Sequence, residues 1–567
     1  MTTLQIFALI GGLGMFLYGM RAMGIGLEKA AGSKLKIIIE KLTKSVPRGI
    51  LVGLLVTSLI QSSSATTVIV VGFVNAGVMT LMQAVGVIMG ANIGTTVTAQ
   101  ILRLGDIQSN AWYLMMLKPA VLAPILLAIG VIMLMACKRN KYVAVGEILV
   151  GFGLLFIGMS AMEGAVAGIR EMPAVRDAFV SLQNPLYGVM AGTIVTGIIQ
   201  SSSASIGILQ AVAATGLVTF SAAVPIIMGQ NIGTCVTAML SSLGTAKNAK
   251  RAALIHLYFN IIGTMVFMPL IYLVNYFVGI PFWDSAVNRG GIADFHTLFN
   301  IANTLMLFPF AAILVKLAQK SVRGEPEKKR QSFLDERLLA SHAIALDEVE
   351  KEVALAMGYI GNSMRNFSSI LFDEKSDKMA EVIRDQKQAM EISDDVAAYM
   401  GKIIALELPD DEIIRAQTMF YVLNGMERIN KHIFNMIRTH EEMNEHGVPI
   451  DGETKKELAV IIKAVEEAFE LTERSYVEKN PEMAAAVHSL YRAISDIKTA
   501  IASKHVARIA KKEYDPKVGL LYLNLADYIS RVAEHSMNIA DTVADERFLT
   551  DKELKKVYKA YLAKYAI

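Results

Sequence analysis

More than 50 consecutive residues, from Gly49 to Leu102, contain no Asp, Glu, Lys, Arg or His. A soluble domain cannot leave that much chain uncharged without exposing large apolar patches. A single soluble globular protein is therefore excluded. The scarcity of charge is local. Residues 1–320 hold 20 Lys/Arg and 9 Asp/Glu, net +11, whereas the other 247 residues hold 35 and 43, net −8. The basic excess lies within the apolar half, which excludes a nucleic-acid binder. Cysteine is scarce too. Cys137 and Cys235 both lie within or at the edge of apolar segments and make neither a disulfide framework nor a metal site. The N-terminus, Met1-Thr2-Thr3-Leu4, lacks a basic n-region and a following cleavage site, so it reads as the first membrane helix rather than a signal peptide.

What is present is a duplication. Residues 49–105 match 188–244 at a constant offset of 139. Gln61-Ser62-Ser63-Ser64-Ala65 recurs as Gln200-Ser201-Ser202-Ser203-Ala204, and Asn92-Ile93-Gly94-Thr95 as Asn231-Ile232-Gly233-Thr234. The offset also carries Gly12-Leu13-Gly14 onto Gly151-Phe152-Gly153 and Gly19-Met20 onto Gly158-Met159. The repeats therefore span about 12–105 and 151–244. Helix packing alone preserves apolar size, not a polar tetrad. Duplicated membrane segments of this kind mark transporter folds, with the substrate site where the repeats meet.

Hydrophobic stretches run over about 4–27, 46–77, 79–102, 112–136, 143–165, 187–216, 219–243, 252–278 and 292–318. If 46–77 and 187–216 crossed as plain helices, Lys138–Lys141 would face away from the basic residues between Lys29 and Arg48, against the positive-inside rule. As re-entrant hairpins of two half-helices they put all the basic loops on one side. Seven spans and two hairpins result, with the N-terminus outside, the C-terminus in the cytoplasm and the repeats inverted. The first hairpin then enters from the cytoplasm and the second from outside.

In this reading the Gln-Ser-Ser-Ser tips lie near the membrane midplane, where non-helical backbone is tolerated only if buried or lining a polar cavity. Broken half-helices offer N–H groups to an anion and loosened carbonyls to a cation. Asn92 with Thr95, and Asn231 with Thr234, lie between glycines, which are expected to let that helix unwind opposite the hairpin. Neither motif contains an acid, which argues against a proton relay. Neither contains Lys or Arg, so a doubly charged oxyanion needs another source of compensation. Bound Na⁺ could supply it through hydroxyl and carbonyl oxygens. Glu163 reads as a lone acid facing water. His256-x-x-Phe259-Asn260 and His296-Thr297-Leu298-Phe299-Asn300 each place His and Asn on one helix face, with helix-to-helix hydrogen bonding favoured over a direct functional role.

The doubled Gln-Ser-Ser-Ser and Asn-Ile-Gly-Thr segments resemble the type II sodium–phosphate cotransporter family over about residues 5–318. The resemblance implies phosphate and sodium sites at Gln61, Ser62, Ser63, Ser64, Gln200, Ser201, Ser202 and Ser203, with Asn92, Thr95, Asn231 and Thr234 beside them. Electrogenic animal members carry an Asp before a basic stretch and His-x-x-Phe-Asn. Here Thr245-Ala246-Lys247 stands at that place, which leaves stoichiometry open.

After a charged linker, 321–334, apolar residues of 335–567 recur at three and four spacing. Helices are expected near 335–372, 376–406, 409–441, 452–477, 481–508, 514–545 and 550–565, forming an antiparallel bundle. Arg428-Ile429-x-x-His432-x-x-Asn435 recurs as Arg531-Val532-x-x-His535-x-x-Asn538. This half resembles the PhoU family, which regulates phosphate uptake and can bind metal through acidic clusters. Glu427, Glu534 and Asp541 are weak candidates, and Lys431 stands where a second acid would be, so no metal site is assigned.

The sequence thus implies an all-α protein: a membrane domain, 1–320, of two inverted repeats with re-entrant hairpins, then a cytoplasmic PhoU-like bundle. The expected function is sodium-coupled phosphate transport by alternating access across a plasma membrane, a bacterial inner membrane, without enzymatic activity. Phosphate, Na⁺ as coupling ion and the lipid bilayer are the expected partners, with no cofactor and no nucleic acid. A homodimer is compatible with the sequence, which does not fix the oligomeric state. A phosphate sensor without net transport and a phosphate exporter are the alternatives.

Overall fold

The computed structural model describes residues 3–31, 45–106, 118–137, 139–167, 172–324, 332–372, 378–406, 408–448, 450, 452–513, 515–543 and 564–565. It divides into two compact units, Met1–Ile344 and Ala345–Ile567. Helices are the only extended regular elements among the described residues, with one isolated antiparallel bridge between Thr219 and Ala286. Several basic residues that orient the expected topology (Lys34 to Lys44, Lys138), together with Arg170, Glu171 and nearly all of the expected last helix, lie outside the described residues.

The first unit contains α1 (Thr3–Ala31), α2 (Val46–Ile60), α3 (Ser63–Asn75), α4 (Leu81–Leu102), α5 (Pro119–Ala136), α6 (Asn140–Ala167), α7 (Pro173–Ser181), α8 (Pro185–Ile199), α9 (Ser202–Ala213), α10 (Phe220–Ser241), α11 (Lys247–Val278), α12 (Arg289–Leu307) and α13 (Ala311–Ser321). Seven of its helical stretches are long and apolar enough to cross a bilayer, while α2, α3, α8 and α9 are shorter apolar helices. The two apolar segments that carry the Gln-Ser-Ser-Ser tips are each broken at the tip. Gln61 and Gln200 adopt left-handed backbone, φ 57° and 58°, ending α2 and α8. Thr57 Oγ1 then donates to Thr66 Oγ1 at 3.0 Å, and Thr196 Oγ1 to Ser205 Oγ at 2.8 Å. Residues nine apart on a continuous helix would be separated by about 13 Å along the axis. Their contact shows that each segment folds back on itself as a hairpin.

Repeat-equivalent helices α1 and α6 pack together through glycine. A Cβ on Gly12 would lie 2.9 Å from the Gly158 carbonyl oxygen, and one on Gly19 2.7 Å from that of Gly151. The early residue of one helix meets the late residue of the other, so the two run antiparallel. Equivalent helices that run antiparallel are the signature of an inverted repeat.

The glycines around the Asn-Ile-Gly-Thr motifs act otherwise than the sequence suggested. Helices α4 and α10 are continuous, with no unwinding at Asn92 or Asn231. The glycines instead admit a neighbouring backbone. A Cβ on Gly90 would sit 1.9 Å from the Ile50 carbonyl oxygen, and on Gly229 2.1 Å from that of Val189. Small residues allow this approach, which is how membrane helices gain packing energy without a hydrophobic drive.

The second unit contains α14 (His342–Phe372) from Ala345 onward, α15 (Met379–Ile404), α16 (Asp410–Glu445), α17 (Gly452–Glu478), α18 (Pro481–Ala510) and α19 (Pro516–Asp541). Their apolar stripes converge on buried cores that include Phe367, Met400, Phe469 and Ile529. The sequence repeat of this half meets itself: His432 on α16 stacks on His535 of α19, with ring centroids 5.4 Å apart and planes 16° from parallel.

Substituting Gly90→Ala should lower the thermal unfolding temperature of the full chain. The new methyl would meet backbone that cannot swing aside, an overpacking cost of about 1–3 kcal/mol. An unchanged melting curve would show that α2 and α4 separate freely.

Candidate functional site at the paired hairpin tips

The tips are built by helix ends. Ser62 and Ser201 are the N-caps of α3 and α9, their hydroxyls accepting from Ala65 N at 3.1 Å and Ala204 N at 3.2 Å. The next residues, Ser63 and Ser202, begin the two helices and face each other, Oγ to Oγ 3.4 Å. Both are buried. They are equivalents at the 139 offset, so their contact lies on the pseudo-twofold axis. Two helix N-termini thus converge on one point, each carrying about +0.5 elementary charge of dipole. Ser64 Oγ donates to the Gln200 carbonyl oxygen at 3.3 Å, tying the first tip to the second.

The remaining expected residues frame this point unequally. Gln61 donates from Nε2 to Ser58 O at 2.5 Å and accepts from Thr98 Oγ1 at 2.9 Å. Ser203 Oγ donates to the same Thr98 hydroxyl at 3.4 Å, so Thr98 joins the two tips. Gln200 is exposed. The Oγ1 of Thr237, the counterpart of Thr98, is buried without a partner among the described residues. Thr95 and Thr234 donate back into their own helices, to Ala91 O and Gln230 O, each at 2.9 Å. Asn92 does likewise, to Ile88 O at 2.9 Å.

Asn231 is held differently. Its Oδ1 lies 3.2 Å from His296 Nε2, its Nδ2 donates to Asn300 Oδ1 at 3.2 Å, and Asn300 Nδ2 donates to His296 O at 2.8 Å. The His-x-x-x-Asn face of α12 therefore binds both ends of one amide. Because Asn231 Oδ1 can only accept, His296 must carry its proton on Nε2. Gln230, which stands where the first repeat has Ala91, adds a bond from Nε2 to Ser205 Oγ at 2.8 Å. His256 makes no such contact, and both its ring nitrogens are buried without partners among the described residues.

Several of these residues escape a motif search, although the 139 offset marks them: Thr57 with Thr196, Thr66 with Ser205, and Thr98 with Thr237. Glu163 requires a correction. It does not stand alone in water but pairs with the buried Arg289 of α12. Asp106 adds a second carboxylate 3.7 Å from that guanidinium. A buried arginine needs such partners, and they account for both acids.

In the second unit, Glu534 accepts from Arg531 at 2.8 Å and Asp541 lies 3.8 Å from His488, while Glu427 lines a cavity of about 200 Å³ with Asp394 and Asn430. The three candidate acids do not come together. Among the described residues no three His, Cys, Asp or Glu side chains are grouped to hold a metal ion.

This chain spans membranes several times and presents two mirrored, uncharged oxygen- and amide-lined tips, the form of a membrane transporter. Residues 15–164 and 174–282 match the sequence model of the Na⁺/Pi-cotransporter family, and residues 458–543 that of the PhoU domain. The membrane half thus carries Na⁺/Pi-cotransporter family sequence in two stretches, and the C-terminal half carries a PhoU domain. The family is one of transporters, not enzymes. The chain is 26% identical over 417 residues, 72% of each chain, to YjbB of Salmonella typhimurium, whose name describes it provisionally as an inorganic phosphate export protein. It is 28% identical over 303 residues, 53% of this chain and 93% of the relative, to the uncharacterized YqeW of Bacillus subtilis. Sodium-dependent phosphate transport protein 2B of Pongo abelii is 33% identical over 149 residues, 25% of this chain and 21% of the relative. No solved structure matches the chain.

Two outcomes check this geometry. His296→Ala should destabilise the full chain by about 1–3 kcal/mol, because the Asn231 carbonyl loses its donor. Unaltered thermal unfolding would show that the bond contributes nothing. In the second unit, burial holds His432 and His535 below the ordinary histidine range, with the nearby Arg531 adding to the lowering and the Glu534 carboxylate opposing it. A depressed folded value means the unfolded chain binds more protons. Stability from this pair is therefore complete above about pH 6.5 and falls as pH drops through the lower folded values. Between pH 7.5 and 5.5 the unfolding temperature should fall more in the unaltered chain than in His432→Gln/His535→Gln.

Proposed function

We propose that the chain moves inorganic phosphate across the membrane with Na⁺ as coupling ion, by alternating access. The observation that carries this reading is the convergence of two helix N-termini at Ser63 and Ser202. Like ends facing each other repel, and an anion between them turns that repulsion into attraction. Phosphate would take donors from the N-terminal N–H groups of α3 and α9 and from Ser62, Ser63, Ser64, Ser201, Ser202 and Ser203. Na⁺ would take the carbonyl oxygens left at the ends of α2 and α8, with Gln61, Gln200 and the Asn92, Thr95, Asn231 and Thr234 region beside them. No fixed cation lies in either motif, so the anion is held firmly only with its Na⁺, which is the basis of coupling.

The same reading places the N-terminus outside and the PhoU domain in the cytoplasm, in the plasma membrane of a bacterium. It makes 1–320 the transporting part, 321–334 the linker and 335–567 the regulator, and treats the protein as a transporter without catalysis. A second reading, export, is favoured by the name of the related YjbB, and it uses the same site.

The test is phosphate flux in proteoliposomes under Na⁺ gradients of each orientation. Flux should follow the Na⁺ gradient, and Ser63→Ala/Ser202→Ala, which keeps both caps, should raise the half-saturating phosphate concentration at least tenfold. Flux indifferent to Na⁺ would defeat the coupling. Binding of phosphate without any flux would make the protein a sensor.

A further inference from the structure

A short segment ahead of the PhoU domain is fastened to both repeats. Residues 332–341 precede α14 and pack within the first unit. Their centre is a turn of 3₁₀ helix, Glu336–Ala340, capped by Asp335, whose carboxylate accepts from Arg337 N at 2.9 Å. The Arg337 guanidinium also binds that carboxylate at 2.9 Å, so the segment is braced before it touches anything else.

Three contacts then anchor it. Asn75, the last residue of the hairpin helix α3, donates from Nδ2 to Asp335 Oδ2 at 2.6 Å and accepts from Ala246 N through Oδ1 at 2.9 Å. Arg337 Nε donates to Ser241 O at 2.5 Å, at the C-terminal end of α10. Leu338 is fully buried, and a Cβ on Gly72 of α3 would lie 2.9 Å from its Cδ2. One contact is thus to the first repeat's hairpin, another to the second repeat's long helix, and Asn75 itself spans from one to the α10–α11 turn. A cation against carbonyls at a helix C-terminus is favourable, as is a buried carboxylate given donors.

We propose that residues 332–341 form a latch by which the PhoU domain restrains transport. The inference rests on the transport reading above. Alternating access requires elements of one repeat to move past elements of the other. A segment bonded to both opposes that movement. Only Ser341 separates the 3₁₀ turn of the latch from α14, so displacement of the start of α14 acts on the latch without slack. Docked, the latch slows the exchange between access states. Released, it frees the end of α3 while leaving the tips untouched, so the rate changes and phosphate affinity does not.

The test uses the full chain with Cys137→Ser to remove the other accessible thiol. Leu338→Cys should react with a maleimide slowly, and at least tenfold faster when combined with Asp335→Ala/Arg337→Ala. In proteoliposomes Asp335→Ala/Arg337→Ala should raise the maximal phosphate flux severalfold, with half-saturating phosphate unchanged. A thiol that reacts at the free rate without those substitutions overturns the latch. So does an opened latch with flux unchanged or reduced. A protected thiol in a chain that moves no phosphate overturns the transport reading instead, and leaves the docking contact standing.

Discussion

Two helices that begin at the same point and face each other set the terms for the rest of the membrane unit. Ser63 and Ser202 meet at 3.4 Å, so the positive ends of α3 and α9 share one small region of low dielectric. Fixed acids there would cancel the field, and fixed bases would intensify it. The motifs contain neither. The caps Ser62 and Ser201, the cross-braces Thr57–Thr66 and Thr196–Ser205, and the bridging hydroxyl of Thr98 hold this arrangement by hydrogen bonds between uncharged groups. Each hairpin can then present donors without carrying charge into the bilayer, where an unpaired charge is costly.

The tips need a stiff support, and glycine provides it. Contacts such as Gly90 against Ile50 and Gly229 against Val189 bring the first arm of each hairpin backbone-to-backbone against the helix that follows. Dispersion over such close surfaces replaces the hydrophobic drive that membranes lack. Gly12 and Gly19 against α6 do the same across the repeats. The Arg289 cluster with Glu163 and Asp106 adds a charged tie between α12, α6 and the end of α4.

Most of this was legible before the structure because duplication writes geometry twice. The 139 offset exposes the tetrads and the repeated glycines, hydrophobic stretches with the placement of basic loops give the spans and hairpins, and periodicity marks the six helices described in the second unit. The boundaries of α14 to α19 fall within a few residues of those expected, apart from the start of α14, which is preceded by the segment 332–341. What could not be read was the role of glycine in α4 and α10. Sequence shows a flexible residue, and only the neighbouring backbone shows that its missing side chain serves contact instead of unwinding. Glu163 and Arg289 were opaque for a related reason. They are far apart in sequence, on helices with no repeated signature linking them.

Perfect duplication would relate the two access states of an inverted-repeat transporter by its twofold axis and give them equal free energy. This chain departs from that limit. Asn231 is gripped by His296 and Asn300 while Asn92 bonds only within its own helix, and Gln230 stands where the first repeat has Ala91. Degeneracy is therefore lifted by side chains outside the tetrads. Under the proposed alternating-access reading, the resting equilibrium can be biased toward one face of the membrane with the tetrads unaltered, so directional preference and substrate recognition can diverge independently.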